Sequence, residues 1–192
     1  MNQCVFRYFI VFICSFIFLP FAFAETKPPA EGGSLPEIIL SVPENPRDQQ
    51  YLGLSEDGKF AISKIKAEVV IIQIFSMYCP HCQADAPRVN QLFKKITAND
   101  PLKDKIKLIG IAIGNSAFET SHFENTYKVE FPLFPDGDYA IHKKLGDVRT
   151  PYYIGVKLNK GKKPRVFYSK AGGVMDVDQF LEAILNKSGL KK

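Results

Sequence analysis

Residues 74–87 read IFSMYCPHCQADAP, and within them Cys79 and Cys82 stand on either side of Pro80 and His81. Residues 69–75 (VVIIQIF) form an almost wholly apolar run rich in Val and Ile, and residues 106–113 (IKLIGIAI) form a second. Such runs suit strands buried on both faces, as in a parallel sheet with helices packed on each side. Between the runs, Pro80 fits a first helical position, and Val89, Leu92, Phe93 and Ile96 recur at helical spacing. The reading is an α/β fold in which Cys79 sits where a buried strand gives way to a helix.

Further along, Ser116 and Glu119 have capping-box spacing and open a second helix, with Phe118, Phe123 and Tyr127 along one apolar side. Residues 139–145 suggest a short helix. Residues 152–158 and 165–169 pattern as two strands joined across a Gly-Lys turn, an antiparallel hairpin. Asp176 can cap a last helix that carries Phe180, Leu181, Ile184 and Leu185 and stops near Gly189.

The chain has 192 residues, enough for one domain with an appendage but not for two full cores. Its 46% hydrophobic and 23% charged content excludes wholesale disorder and a many-span membrane protein. A formal net charge of +5, spread thinly, provides no basic face for nucleic acid, so no nucleic-acid partner is expected. Residues 8–24 carry no charge, Arg7 stands just before them, and Ala22-Phe23-Ala24 supplies a small-x-small cleavage site. Residues 1–24 therefore read as a signal peptide, with an uncleaved anchor as the alternative. Either implies an exported protein, periplasmic or on the outer face of the cytoplasmic membrane. Residues 25–36 (ETKPPAEGGSLP) read as a flexible leader, and residues 37–192 as the folded domain.

Loss of residues 1–24 removes Cys4 and Cys14 and leaves only Cys79 and Cys82. In an oxidising compartment these two will pair with each other. A disulfide across so short a loop stabilises little through chain entropy, which favours redox use over a structural staple. At a helix start, the Cys79 sulfur faces the positive end of the backbone dipole and unpaired N–H groups, both of which favour thiolate. Cys79 is the expected nucleophile, and Cys82, one turn on, the thiol that resolves the mixed disulfide. Zinc fits poorly, since a closed site wants four ligands and only His81, His122 and His142 remain as donors of the usual type. Haem attachment would need a histidine directly after Cys82, where Gln83 stands. No metal or organic cofactor is expected; the redox-active Cys79–Cys82 disulfide takes that place.

The same stretch resembles the active-site segment of thioredoxin-fold proteins: a buried strand, Cys-x-x-Cys at the helix start, and a following proline, Pro87. Residues 146–154 (GDVRTPYYI) resemble the superfamily loop that carries a cis-proline facing the disulfide and leads into the hairpin. The resemblance makes Pro151 that proline and has the Thr150 backbone hydrogen-bond an extended substrate strand. The exported leader, the LPEIIL opening at residues 35–40, and an extra helix and strand before Pro151 are similar to the TlpA/ResA-like redoxins, over roughly residues 35–187. In that branch an acidic residue three positions after the second cysteine assists proton transfer, which implies a catalytic role for Asp85; the alternative is that Asp85 lies on an exposed helix face. The buried acid that thioredoxin carries six positions before its first cysteine is replaced by Gln73, left with a polar supporting role. Gly172-Gly173 before the last helix fits the family too, and equally fits a turn needing positive φ. The implied fold is thioredoxin-like, a central mixed β-sheet with helices on both faces.

Pro80 and His81 are the pair found between the cysteines of DsbA-type disulfide donors; as expected tuners of the redox potential they point toward an oxidase. The segment 114–150 is too short for the large helical insertion of the DsbA fold. The TlpA/ResA-like scaffold implies instead a reductase of partner-protein disulfides, including those of apocytochromes during haem attachment. We adopt the reductase reading, with the DsbA-like oxidase as its alternative. The expected partners are protein thiol or disulfide substrates and a membrane-bound electron donor or acceptor, with the chain itself a monomer. A peroxiredoxin-type peroxidase would need a proline where Ile72 stands, although Ser76 matches its hydroxyl position, and a copper-delivery module would need wider cysteine spacing plus a histidine such as His142. The basic residues Lys157, Lys160, Lys162, Lys163 and Arg165 read as a solvated hairpin tip, with an anionic membrane or acidic partner as the alternative.

Overall fold

In the computed structural model, which describes residues 27–190 apart from Glu56 and Lys160, the first strands form a small antiparallel pair, β1 (Ile39–Ser41) and β2 (Lys59–Ala61), separated by helix α1 (Pro46–Leu52). The main sheet and its helices follow: β3 (Val69–Phe75), α2 (Pro80–Thr97), α3 (Asp100–Lys103), β4 (Ile106–Ile113), α4 (Ala117–Tyr127), β5 (Leu133–Asp136), α5 (Ala140–Lys144), β6 (Tyr152–Lys157), β7 (Arg165–Ala171) and α6 (Val177–Ser188). Strand order is β5-β4-β3-β6-β7. β3, β4 and β5 run parallel, and β6 is antiparallel to both β3 and β7. The signal-peptide reading of residues 1–24 lies outside the described residues, among which no helix is long and apolar enough to cross a membrane.

Every residue of β3 and β4 is buried, because these central strands are covered on both sides. Their side chains alternate between two cores. Val69, Ile71 and Phe75 pack with α2 and α6 and with Phe123 of α4; Val70, Ile72 and Ile74 pack with residues of β1, β2, α1 and α5. The alternation puts Gln73 on the α2 side, directly opposite Tyr153 in the β3–β6 register. The capping box at Ser116 and Glu119 is present, and Asp176 caps α6, which ends at Gly189 in a left-handed conformation.

Two expectations need correction. Residues 32–35, assigned to a flexible leader, are paired with the start of the edge strand β7. Gly32 N–H donates to the Val166 carbonyl at 2.8 Å and Leu35 N–H to the Pro164 carbonyl at 2.9 Å, while Pro29 and Leu35 are buried. Backbone pairing to an open sheet edge holds them, and composition carries no sign of that. Phe118, expected on the apolar side of α4, is 80% exposed; Phe123 is buried and Tyr127 packs partly against the core.

Candidate active site

Cys79 occupies the N-cap of α2, with Pro80 as the first helical residue. The loop that delivers it is fastened from several directions. Met77 N–H donates to the Asn115 side-chain oxygen at 2.8 Å, Gln83 Nε2 donates to the Met77 carbonyl at 2.7 Å, Tyr78 donates its hydroxyl proton to Glu119, and Cys79 N–H donates to the Ser76 carbonyl at 3.1 Å. Asn115 is fully buried just after β4, so it joins the ends of the two central strands. A lone Asn after an apolar run announces nothing in the sequence, and this anchor escaped the sequence reading.

The two thiols occupy different surroundings. Cys79 is half-buried and Cys82 fully buried, and both are free. Burial would raise the Cys79 thiol, but hydrogen bonds from the Thr150 side chain, from Cys82 and from the His81 backbone N–H at the helix start outweigh it and hold the pKa below the ordinary value. Burial pushes Cys82 up to about 12, and the neighbouring Cys79 adds to the rise. At neutral pH Cys79 therefore carries far more thiolate than Cys82. Iodoacetamide at pH 7 should modify Cys79 alone, seen as a single adduct by mass spectrometry of the reduced protein; equal labelling of both cysteines would contradict this asymmetry.

Asp85 does not lie on an exposed helix face. Three residues beyond Cys82 on the same side of α2, it is 2% exposed. Its Oδ2 accepts from the Tyr153 hydroxyl at 2.7 Å, and its Oδ1 from Val174 N–H at 2.8 Å. Tyr153 in turn accepts from Gln73 Nε2 at 3.0 Å. Burial raises the Asp85 carboxyl, opposed by the Tyr153 and Val174 hydrogen bonds and by Arg88. The sequence places Tyr153 in a strand and gives it no role; strand register brings it between Gln73 and Asp85. Gly173 is required for space: a Cβ there would lie 2.8 Å from the Asp85 carboxyl carbon, whereas the positive φ belongs to Gly172. Gly173→Ala should push the carboxyl off its partners and destabilise the protein by about 1–3 kcal/mol, measured as a lower urea midpoint.

The Thr150–Pro151 peptide bond is cis, and the Cys79 thiol donates to the Thr150 carbonyl at 3.5 Å. His81, Arg149, Thr150, Pro151, Ala171, Gly172 and Gly173 line an open groove of about 290 Å³, in which the exposed His81 lies near the cis-proline loop. Beyond Tyr78, a second depression of about 500 Å³ is lined by Met77, Tyr78, Ser116, Phe118, Glu119 and His122. His142 is occupied elsewhere, its Nε2 2.9 Å from the Val148 carbonyl and its Nδ1 3.4 Å from Asp147, in the loop leading to Pro151. Among the described residues no group of three or more His, Cys, Asp and Glu side chains is placed to hold a metal ion.

The family profile described as the AhpC/TSA family matches residues 45–176, from just before α1 to the cap of α6. The chain belongs to the AhpC/TSA family. A search of curated proteins finds no match. Several solved structures share the thioredoxin-like fold. A Chlorobium tepidum protein assigned as the thiol:disulfide interchange protein DsbE superposes with a TM-score of 0.63 at 16% identity, covering 84% of this chain and 99% of its own. StoA from Bacillus subtilis gives 0.54 at 18% identity, covering 78% and 96%. A secreted Mycobacterium tuberculosis disulfide oxidoreductase homologous to Escherichia coli DsbE gives 0.51 at 17% identity, covering 68% and 90%. Within the AhpC/TSA fold of this chain, Cys79, Cys82, Asp85, Thr150 and Pro151 gather at the carboxyl end of β3 and the start of β6.

Proposed function

We propose that this chain is an exported thiol-disulfide oxidoreductase that reduces disulfides in partner proteins through Cys79 and Cys82. The observation that carries the reading is the half-buried Cys79 at the helix N-cap beside the cis Thr150–Pro151 bond, with Cys82 fully buried behind it and a buried carboxyl one turn further on. In the reducing direction the Cys79 thiolate attacks a substrate disulfide, expelling one substrate sulfur as thiolate. Cys82, once deprotonated, attacks Cys79 and expels the other, with Asp85 as the group that assists its deprotonation in this reading. In the oxidising direction Cys82 must instead depart as a thiolate, and a thiol with a pKa of about 12 is a poor leaving group. Electrons lost in each cycle are returned by a membrane-bound donor, and the chain works as a monomer.

Features around Cys79 favour a polypeptide over a small thiol as substrate. The groove beside the cis-proline loop offers the Thr150 backbone to an extended strand. Tyr78 is 63% exposed and shares a depression with the exposed Phe118. An apocytochrome awaiting haem is one such polypeptide.

The deciding experiment is the equilibrium of the Cys79–Cys82 couple with glutathione. A potential near that of thioredoxin, about −270 mV, supports the reductase, and one near that of DsbA, about −120 mV, replaces it with the oxidase that Pro80 and His81 favour. Rapid peroxide consumption by the reduced protein would favour a peroxidase instead, although Ile72, at the position where that chemistry wants proline, is fully buried within β3.

A further inference from the structure

The end of the domain opposite Cys79 carries a surface that thiol-disulfide exchange does not use. Lys157 of β6 pairs in register with Val69 at the start of β3, so the β6–β7 turn lies at the amino end of the central strand, while Cys79 follows its carboxyl end. The length of the seven-residue β3, about 20 Å, separates the two ends. At the amino end a depression of about 450 Å³ opens between residues 35–38, residues 61–64 and the β6–β7 turn. Among its lining residues Leu35, Ile38 and Ile62 are buried and apolar, while Lys64, Lys162 and Lys163 stand exposed.

We propose that this end of the domain docks on an anionic phospholipid leaflet, with lipid phosphates held among Lys64, Lys162 and Lys163 beside the apolar floor. Nothing in the docking depends on the direction of electron flow. Read as a local stretch, the basic hairpin tip is solvated. The stretch does not contain the apolar surface that residues 35–38 and 61–64 bring beside it, and that surface turns a charged turn into an amphipathic one. Docked in this way, the protein holds Cys79 away from the leaflet, open to a polypeptide in solution.

Charge favours such a partner. Among the described residues, Lys94, Lys95, Lys103, Lys105 and Lys187 each have a carboxylate partner, whereas Lys64, Lys162, Lys163 and the neighbouring Arg165 have none. Lys157 stands apart from them, because its Nζ donates to the Ser188 carbonyl at 2.8 Å. Glu37 is the one acidic group among the described lining residues. Lysines offer point charges on flexible stems, without the fork by which arginine pairs with a single carboxylate, and so fit a diffuse anionic surface better than an acidic protein. The leader meets the domain at the same end. Gly32 and Leu35 bond to Val166 and Pro164, and Leu35 and Pro36 form part of the depression, so the uncharged residues 8–24 are joined in sequence to the end that docks.

The chain contains no tryptophan, so a single one serves as a probe. The full chain carrying Asn159→Trp, at an exposed lining position, is mixed with vesicles whose acyl chains are brominated, made of phosphatidylcholine alone or of an equimolar mixture with phosphatidylglycerol. Bromine should quench the probe on the mixed vesicles and leave it bright on phosphatidylcholine, and added salt should reverse the quenching. Phe118→Trp, at the Cys79 end, should stay bright on both. In the Asn159→Trp background, Lys64→Gln, Lys162→Gln and Lys163→Gln together should shift the balance of docked and free probe by on the order of a hundredfold. Salt screens the same charges in the protein that carries the probe alone, so the test stands even if the triple variant does not fold. Absence of quenching on the mixed vesicles, equal quenching on both kinds, or quenching of Phe118→Trp in place of Asn159→Trp overturns the docking. Poly-glutamate that shifts the Asn159→Trp emission while phosphatidylglycerol leaves it unchanged also overturns it and gives this surface to an acidic protein.

Discussion

Replacing Cys82 by serine is expected to turn the protein into a covalent trap for its own substrates. Cys79 keeps the hydrogen bonds from Thr150 and from the helix-start backbone that favour its thiolate, and the serine hydroxyl can donate in place of the Cys82 thiol, so attack on a substrate disulfide proceeds. Resolution does not. The effective concentration of a well-oriented intramolecular nucleophile reaches roughly 10⁵ M or more, and millimolar external thiol cannot replace it, so release slows by on the order of a thousandfold or more. Incubation with a disulfide-bonded protein should yield a higher-mass adduct on a non-reducing gel that dithiothreitol dissolves, and Cys79→Ser should yield none. Turnover at the wild-type rate in Cys82→Ser, or an equal adduct with Cys79→Ser, would reverse the assignment of nucleophile and resolver.

Asp85→Asn is expected to stabilise the protein at neutral pH while slowing resolution. Burial raises the Asp85 carboxyl above its ordinary 3.8. Well below pH 3.8 the carboxyl is neutral whether the chain is folded or not, and its packing costs nothing extra. As pH climbs through the raised value, the folded protein must hold a buried negative charge that the unfolded chain exposes to water, so stability falls by about 1.4 kcal/mol for each pH unit of elevation. Asparagine removes that charge. It can still accept from Val174 N–H and donate to the Tyr153 oxygen, so the gain should be visible in urea unfolding of the reduced protein at pH 7 and should fade as the pH is taken well below 3.8. A variant less stable than wild type at pH 7, or stabilised equally at pH 7 and in that acid range, would mean that the carboxylate is fully compensated where it lies.

The parts legible in the sequence are those where a single segment carries its own signal. β3 and β4 were readable because a central strand covered on both faces must be apolar throughout, and α2, α4 and α6 because caps and 3.6-residue spacing are local. β5 was not readable: it is short and contains Pro135, which an edge strand tolerates because one of its sides needs no ladder hydrogen bond. The β1–β2 pair is too short for periodicity to register, and the docking of residues 32–35 depends on a free edge of β7 formed by residues over a hundred positions away.

The active site divides in the same way. That Cys79 caps a helix and that Cys82 lies one turn behind it followed from the sequence alone, because Pro80 and helical spacing are properties of one short stretch. Whether Asp85 faced solvent or core, that Asn115 grips the loop before Cys79, and that Tyr153 stands between Gln73 and Asp85 were decided by tertiary structure. Each of those contacts joins side chains from different elements, and their meeting depends on strand register and on how α2 lies across the sheet, which no local pattern encodes.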